Sequence, residues 1–308
     1  MVNKYGQWHD FCRDSGSLRA TIPVCNLFNE SPAQQFGSSA SGFGGCDLQG
    51  IGLSEGRKLA NLGSILFAAI AILLSLFLIW RSNVKKAAVG RREMQLFLFG
   101  YVVIEICEIF TVGGFPLNGG VRRAFSAAHI AAVTATSWIL MLNGVVGYQL
   151  LEDGTAISMA LVFGSSLAFF VGTGYIALDT GFGWTDFWKS SLESPNQSYA
   201  LYTLYLLIPL FFIVVFFLLE GFLVLRILGE KKPMLYLLLA ALFFAIGQIF
   251  QFVISVHICN STNGKINGGL FETLFTLLAV GTIWKFWSSI TEDDWPMPGS
   301  ADGNQGYT

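Results

Sequence analysis

The sequence predicts an all-α membrane protein: a polytopic bundle of about seven transmembrane helices, with a lumenal N-terminus and a cytosolic C-terminus. Of its 308 residues, 53% are hydrophobic and only 12% are charged, which is about half the charged fraction usual in soluble domains. The charges are clustered, so they leave uncharged stretches of roughly the 20 residues that cross a bilayer. The net charge of −2 leaves no basic excess for binding nucleic acid.

Seven segments are long and apolar enough to span a membrane. The first has no ionisable side chain between Lys58 and Arg81, and we expect it to serve as the insertion signal because no apolar run precedes it. The fifth contains Pro209, which a membrane helix tolerates as a kink. The predicted spans are Ala60–Trp80, Met94–Val112, Phe125–Tyr148, Ile157–Ile176, Ala200–Leu225, Met234–His257 and Gly269–Trp287.

The spans divide the chain into three parts. Residues 1–59 form a polar lumenal segment that we expect to be disulfide-linked, residues 60–287 form the transmembrane domain, and residues 288–308 form a cytosolic, partly disordered tail. The tail is acidic at Glu292, Asp293 and Asp294. These carboxylates either contact another protein or belong to a merely solvated terminus.

Basic residues predict the orientation, since Lys and Arg concentrate in cytosolic loops. They cluster after the first and fifth spans, which places the N-terminus of a seven-span protein in the lumen. Arg122 and Arg123 are a counter-signal on the lumenal side. The basic residues of the two loops are Arg81, Lys85, Lys86, Arg91 and Arg92, then Arg226, Lys231 and Lys232.

Glycosylation acceptors and cysteines agree with this orientation. Asn29, Asn196 and Asn260 each begin an Asn-x-Ser/Thr triplet on the predicted lumenal side. Four cysteines also lie there and predict two disulfides, for which three pairings are open, whereas the fifth, Cys107, lies within the second span. The four lumenal cysteines are Cys12, Cys25, Cys46 and Cys259.

A few ionisable side chains remain within the spans, where they cost free energy and usually face the bundle interior. Glu105 and Glu108 share one helical face because they are three residues apart. Two Glu–His pairs at similar depth are sterically possible, Glu108 with His129 and Glu272 with His257. The complete set is Glu105, Glu108, His129, Glu220, His257 and Glu272, and Asn143, Gln248 and Gln251 are candidate hydrogen-bonding partners.

This set has a functional and a structural interpretation. The functional one is a proton relay, a metal site or a ligand pocket. The structural one is a buried polar network that fixes helix register or docks a partner helix, and we favour it because two histidines are too few for a usual catalytic zinc site. Small residues are dense in the third and fourth spans, including Gly164, Ala168 and Gly172. They predict close packing of helices, within the bundle or with another protein.

Catalytic signatures are absent from the sequence, so we predict that the protein is not an enzyme and holds no cofactor or metal. It contains no P-loop, no His-Glu-x-x-His, no Gly-x-Ser-x-Gly and no Asp-x-Asp. No segment outside the spans is long enough for a sugar-transferring domain. An intramembrane hydrolase would need a nucleophile or a fuller set of metal ligands.

Five stretches carry a resemblance to a known family. Their order and spacing match over about Cys46 to Trp287, and the second and third are the most specific. Together they resemble the fungal chitin synthase export chaperone family. The stretches are Cys46–Ile51 (CDLQGI), Lys86–Met94 (KAAVGRREM), Ile104–Pro116 (IEICEIFTVGGFP), Trp138–Gly144 (WILMLNG) and Gly172–Gly181 (GTGYIALDTG).

The resemblance implies a seven-span protein of the endoplasmic reticulum membrane. Such a protein binds a chitin synthase, supports its folding and licenses its export, so that chitin synthesis in the cell wall depends on it. Implied partners are the synthase, the lipid bilayer and vesicle export machinery, and the complex either stays in the endoplasmic reticulum or travels to the plasma membrane. The alternative is a seven-helix receptor or transporter with an intramembrane Glu/His site.

Overall fold

Seven long helices dominate the described part of the chain in a computed structural model, and each coincides with one predicted span, so the predicted all-α bundle of seven membrane-length helices is confirmed. The structure describes residues 5–8, 11–12, 22–28, 49–52, 58–59, 61–85, 88–111, 119–149, 154–185, 187–190 and 197–291. The spanning helices are α1 (Leu62–Val84), α2 (Arg91–Thr111), α3 (Gly119–Val146), α4 (Ala156–Phe182), α5 (Tyr199–Leu228), α6 (Lys232–Ser261) and α7 (Gly268–Ile290).

The helices extend a few residues beyond most of the predicted apolar limits. Basic and polar side chains at helix ends reach the polar interface while their backbone remains helical. The ends carry local signals that stop or start the helix. Thr155 caps the start of α4 by accepting a hydrogen bond from the Ser158 amide, and Gly183 ends it in the left-handed conformation at φ 65°.

The most buried helix is α3, which lies at the centre of the bundle. In its most apolar 18-residue stretch 67% of residues are buried, compared with 28% in α1. It packs closely against α2, α4 and α5, while α7 packs against α6 and α1, and α1 packs against α2. Adjacent α5 and α6 make few contacts with each other. The helices therefore form an arc, α6–α7–α1–α2–α3–α5, which remains open between α5 and α6.

Glycines set the closest approaches between helices, as small residues do in membrane proteins. A methyl group at Gly100 of α2 would overlap the Thr136 side chain of α3. By contrast, Gly164 and Gly172 of α4 have nothing within 4 Å of that position. The predicted close packing is therefore made by only some of the small residues, because part of α4 faces away from the bundle.

The N-terminal segment folds onto one end of the bundle. Its 3-10 helix, Pro23–Leu27, is buried against the start of α3 and the end of α4. Trp8 is fully buried and packs on Tyr202 and Tyr205 of α5, and Phe11 meets Phe252 of α6 at 5.4 Å between ring centroids. The segment therefore bridges α5 and α6 at the end of the bundle where these helices are otherwise apart.

Short strands and turns complete the described structure. β1 (Ile51–Gly52) pairs antiparallel with β2 (Lys58–Leu59) just before α1, and Phe187–Ser190 form one helical turn after α4. The Gln49 amide donates to the Gly264 carbonyl at 2.8 Å. That contact brings the segment preceding α1 to the turn that connects α6 and α7.

Three π-helical segments widen α5 and α6. They are Tyr202–Leu207 and Leu223–Leu228 in α5, and Phe250–Ile254 in α6. The first immediately precedes Pro209, whose ring nitrogen has no hydrogen to donate, so the regular bonding pattern changes there. A π-helical turn thus accompanies the proline for which the sequence predicted a kink.

We predict that Gly100→Val destabilises the protein by about 1–3 kcal/mol, because it overpacks the contact with Thr136. Gly164→Val is the matched control: it makes the same change in a helix where a methyl group meets open space. Thermal unfolding in detergent micelles measures both. Equal stability of the two variants would contradict the proposed close α2–α3 contact.

Candidate functional site

A cavity of about 330 Å³ lies inside the bundle. Side chains of α2, α3, α5, α6 and α7 line it, together with Pro23 of the N-terminal segment. Its walls extend from Glu108 to Phe97 along α2 and from Glu272 to Ile283 along α7. Both intervals are about 16 Å at the rise of an α-helix, so the cavity is an elongated slot parallel to the helices.

The slot has a polar end and an apolar end. Glu105, Glu108, Glu272 and His129 line the end near the N-terminal segment, and Gln248 and Gln251 also line the slot. Towards the other end, the lining is mainly aromatic and aliphatic, and Thr136 and Ser137 are its polar members. The apolar side chains include Phe97, Leu140, Ile213, Phe217, Ala240, Val280 and Ile283.

Glu108 connects three helices at the polar end. Its Oε1 accepts a hydrogen bond of 2.8 Å from the Thr273 hydroxyl of α7, and its Oε2 lies 3.9 Å from His129 Nε2 of α3. The helical spacing that puts Glu105 and Glu108 on one face of α2 places both in the cavity. The predicted Glu108–His129 pair is therefore the one that the structure brings together.

Some buried polar atoms in the cavity have no hydrogen-bonding partner among the described residues. They include Oε2 of Glu105 and Nδ1 of His129, whose residues are only 1% and 6% exposed. Glu272 is better satisfied, because the Thr276 hydroxyl donates to its Oε1 at 2.9 Å. None of the described residues that line the cavity is Lys or Arg. The polar end thus presents three carboxyl groups, with His129 as the one basic side chain among the described lining residues.

Three of the predicted polar residues, His257, Asn143 and Glu220, lie elsewhere. The His257 side chain is exposed and does not line the cavity, so the structure does not bring it into a pair with Glu272. Asn143 donates to the Ile139 carbonyl within α3 and lines a second cavity of about 420 Å³ with Glu220 and Trp287. The rotation of α6 and the position of Asn143 nearer the other end of α3 separate these residues from the slot.

The cysteines and glycosylation candidates are described only in part. Cys12 and Cys25 form a disulfide with 5.5 Å between their Cα atoms. Cys259 is also disulfide-bonded, to a partner outside the described residues. Asn260 is exposed in the last turn of α6. The remaining candidates, namely Cys46, Asn29, Asn196, Glu292, Asp293 and Asp294, lie outside the described residues.

The stretch between α1 and α2 is held against the end of α7. Trp287 Nε1 donates to the Val89 carbonyl at 2.9 Å, and Lys85 Nζ donates to the Ser288 carbonyl at 3.0 Å. Gly90, which follows Val89, has a φ of 68°, a conformation that favours glycine. Part of Lys86–Met94, one of the two most specific stretches of the resemblance, therefore holds the connection between α1 and α2 against the end of α7.

Two buried carboxyl groups were missed by the interpretation of the sequence. Asp179, near the end of α4, accepts hydrogen bonds from the Thr185 amide at 2.7 Å and from its hydroxyl at 2.9 Å. Glu93, at the start of α2, lies 3.4 Å from both the Ser158 hydroxyl and the Gly154 amide. Both lie near the ends of predicted spans, where an acidic residue is common. For Asp179, the one available signal in the sequence was the nearby Gly183, because a glycine often ends a helix and an acidic side chain there can accept hydrogen bonds from the turn that follows.

Arg123, the counter-signal to the predicted orientation, has local partners. Its guanidinium donates to the Gly181 carbonyl at 2.9 Å and lies 5.1 Å from the centre of the Phe182 ring. A cation at the C-terminal end of α4 also interacts favourably with the helix dipole. The contacts with the end of α4 therefore account for the presence of this basic residue on the predicted lumenal side.

A catalytic metal centre has no support among the described residues, since no three His, Cys, Asp or Glu side chains there are arranged to hold a metal ion.

A family model described as chitin synthase export chaperone matches residues 4–301. The chain belongs to the chitin synthase export chaperone family.

Relatives in several fungi carry the same name. The chitin synthase export chaperone of Coccidioides immitis is 30% identical over 298 residues, covering 94% of this chain and 83% of the relative. That of Cryptococcus neoformans is 31% identical over 236 residues, covering 73% and 61%, and that of Aspergillus oryzae is 27% identical over 291 residues, covering 94% and 84%. No solved structure matches the chain.

Membership in the chitin synthase export chaperone family confirms the resemblance found in the sequence. The match includes all seven spanning helices. It favours a chaperone of membrane-protein export over a receptor or transporter, because the family is named for the former.

We predict that Thr273 and Glu108 are energetically coupled through their hydrogen bond. A double-mutant cycle with Thr273→Val and Glu108→Leu should give a coupling between about 0.6 kcal/mol, the average for hydrogen bonds between membrane helices, and about 1.7 kcal/mol, the largest value found for them. Unfolding in detergent measures it. The control is Thr282→Val combined with Glu108→Leu, since the Thr282 hydroxyl donates to the Leu278 carbonyl of its own helix. An equally large coupling in this control pair would contradict the hydrogen bond between Thr273 and Glu108.

Proposed function

We propose that this protein is a membrane chaperone that binds a chitin synthase, supports its folding and its export from the endoplasmic reticulum, and thereby supports chitin synthesis in the cell wall. The observation that carries the proposal is the family match across residues 4–301. The protein acts as a partner and not as an enzyme in this proposal.

The physical task of such a chaperone follows from the bilayer as a solvent. A chitin synthase carries transmembrane helices with polar, pore-lining faces, which are costly in lipid until they are assembled. A compact bundle that covers those faces lowers this cost during assembly. The protein has the required form, since almost all of its described residues belong to seven membrane-length helices and a short segment packed on one end.

We propose that the protein lies in the endoplasmic reticulum membrane with its N-terminus in the lumen and its C-terminus in the cytosol. The basic residues flanking α1, α2, α5 and α6 lie at one end of the bundle, as expected for cytosolic loops. The Cys12–Cys25 disulfide and the disulfide-bonded Cys259 lie at the opposite end. Disulfides persist in oxidising compartments, which supports a lumenal location for that end.

We propose that a synthase helix docks on the outward face of α4. Gly164, Ala168 and Gly172 are exposed there at intervals of four residues. This small-residue spacing lets two membrane helices approach closely.

The acidic tail containing Glu292, Asp293 and Asp294, outside the described residues, is proposed as a contact for vesicle export machinery.

Deleting the protein should trap its chitin synthase in the endoplasmic reticulum and lower cell-wall chitin, because the polar helix faces of the synthase then remain uncovered. Fluorescence microscopy of a tagged synthase and chitin staining measure these effects. A tagged secretory membrane protein of unrelated type serves as the control and should reach the surface normally. Normal arrival of the synthase would overturn the proposal.

Gly164→Leu combined with Gly172→Leu should weaken synthase binding by at least about tenfold, since the bulky side chains prevent close helix approach. Affinity purification in mild detergent, with the amount of synthase recovered, provides the measurement. The bundle itself should remain folded because both positions face open space.

The matched control is Leu161→Ala combined with Val171→Ala, which alters exposed side chains of the same helix without closing the small-residue face. It should retain the synthase. Unchanged recovery with the Gly164→Leu/Gly172→Leu variant would show that binding uses another surface.

A further inference from the structure

We propose that the slot binds a lipid amphiphile with a single alkyl tail and a protonated amine head, with the head between Glu105, Glu108 and Glu272 and the tail along the apolar walls. The binding concerns this chain alone and does not depend on the proposed synthase partner. Its basis is the shape of the cavity, the polarity of its two ends and the route by which it opens.

The opening faces the bilayer and not the aqueous phase. Helices α5 and α6 make few contacts with each other, while each packs firmly against another helix of the arc. At the polar end, the N-terminal segment covers the gap, since Trp8 packs on α5, Phe11 on Phe252 of α6, and Pro23 lines the cavity. A ligand therefore enters between α5 and α6 from the lipid.

The slot is polar at one end and mainly apolar along the rest of its length, as a bilayer leaflet is polar at its surface and apolar in its interior. Its carboxyl groups lie near the end of α2 at Thr111 and the start of α7 at Gly268, and from Glu108 the slot as a whole extends about 16 Å along α2 towards the opposite end. A lipid placed in that leaflet has its head near the helix ends and its tail pointing inwards. An alkyl tail fits such a narrow slot, and the volume of about 330 Å³ lies within the range of ligand pockets.

The chemistry of the polar end selects a cationic head. Oε2 of Glu105 and Nδ1 of His129 are buried without a partner among the described residues. A buried carboxylate is costly unless it is paired, and none of the described lining residues is Lys or Arg. A protonated primary amine offers three hydrogen-bond donors and one positive charge, so it can pair with the carboxyl group of Glu105 and also donate to a neighbouring carboxyl oxygen that lines this end.

A basic side chain from a partner helix is the competing occupant, and the dimensions disfavour it. A helix with its side chains is about 10–12 Å wide, so a cavity of about 330 Å³ admits only one side chain of it. Such a side chain would occupy the polar end and leave the apolar length of the slot empty. A tailed amine occupies both ends.

The experiment uses the full chain in lipid nanodiscs and tetradecylamine with a photoactivatable group in its tail. The expected result is labelling of lining residues on α5 and α6, such as Ile213 and Phe244, competed by unlabelled tetradecylamine. Probes with the same tail and a hydroxyl or a carboxylate head should label these sites at least about tenfold less. Mass spectrometry of peptides locates the label.

Glu105→Gln combined with Glu108→Gln should reduce labelling of the slot by the amine at least about tenfold. Glu220→Gln is the matched control: Glu220 is a buried glutamate of α5 that lines the second cavity, and its variant should label like the unmodified protein. Ile213→Trp narrows the slot without altering a carboxyl group, so it should also prevent labelling. If the Glu105→Gln/Glu108→Gln variant fails to fold, the Ile213→Trp variant still tests whether the amine binds in the slot.

Three results would overturn the proposal. Equal labelling by the alcohol would show that the head charge is not recognised. Label restricted to outward, lipid-facing side chains would show ordinary boundary lipid. Label that appears in the slot but is unchanged in the Glu105→Gln/Glu108→Gln variant would assign the carboxyl groups a purely structural role.

Discussion

The close packing of α3 against its neighbours is the constraint on which the remaining structure depends. In lipid there is no hydrophobic drive for helices to associate, so their contacts rely on small residues and interhelical hydrogen bonds. α3 supplies both, because Gly100 of α2 meets Thr136 and the Thr134 hydroxyl donates to the Leu204 carbonyl of α5. With α2 and α5 held on α3, the positions of the remaining helices are strongly limited.

The open arc of helices creates the cavity. Because α5 and α6 are joined by a short turn at Gly229 yet diverge towards their other ends, a slot remains between them. The π-helical segments Tyr202–Leu207 and Phe250–Ile254 lie on its two sides, and Pro209 also lines it. The N-terminal segment, which contains the Cys12–Cys25 disulfide, contributes Pro23 to the lining at one end of the slot.

Much of this arrangement could be predicted from the sequence, and the failures have a physical pattern. Glu105 and Glu108 were expected on one face because helical spacing is local, and the structure places both in the cavity. His257 was expected near Glu272, yet its side chain is exposed, since similar depth does not determine which way a helix is rotated. Asp179 was overlooked because its role as an acceptor for Thr185 depends on the turn beyond α4.

The sequence alone determined the seven spans, the clustering of basic residues and the family, since hydropathy, charge and motifs are properties of consecutive residues. Tertiary structure decided which polar groups meet. The Glu108 contacts with Thr273 and His129 join residues distant in the chain, and the outward direction of Gly164 depends on how α4 packs on α3. Helix rotation and the gap between α5 and α6 arise only when all seven helices pack together.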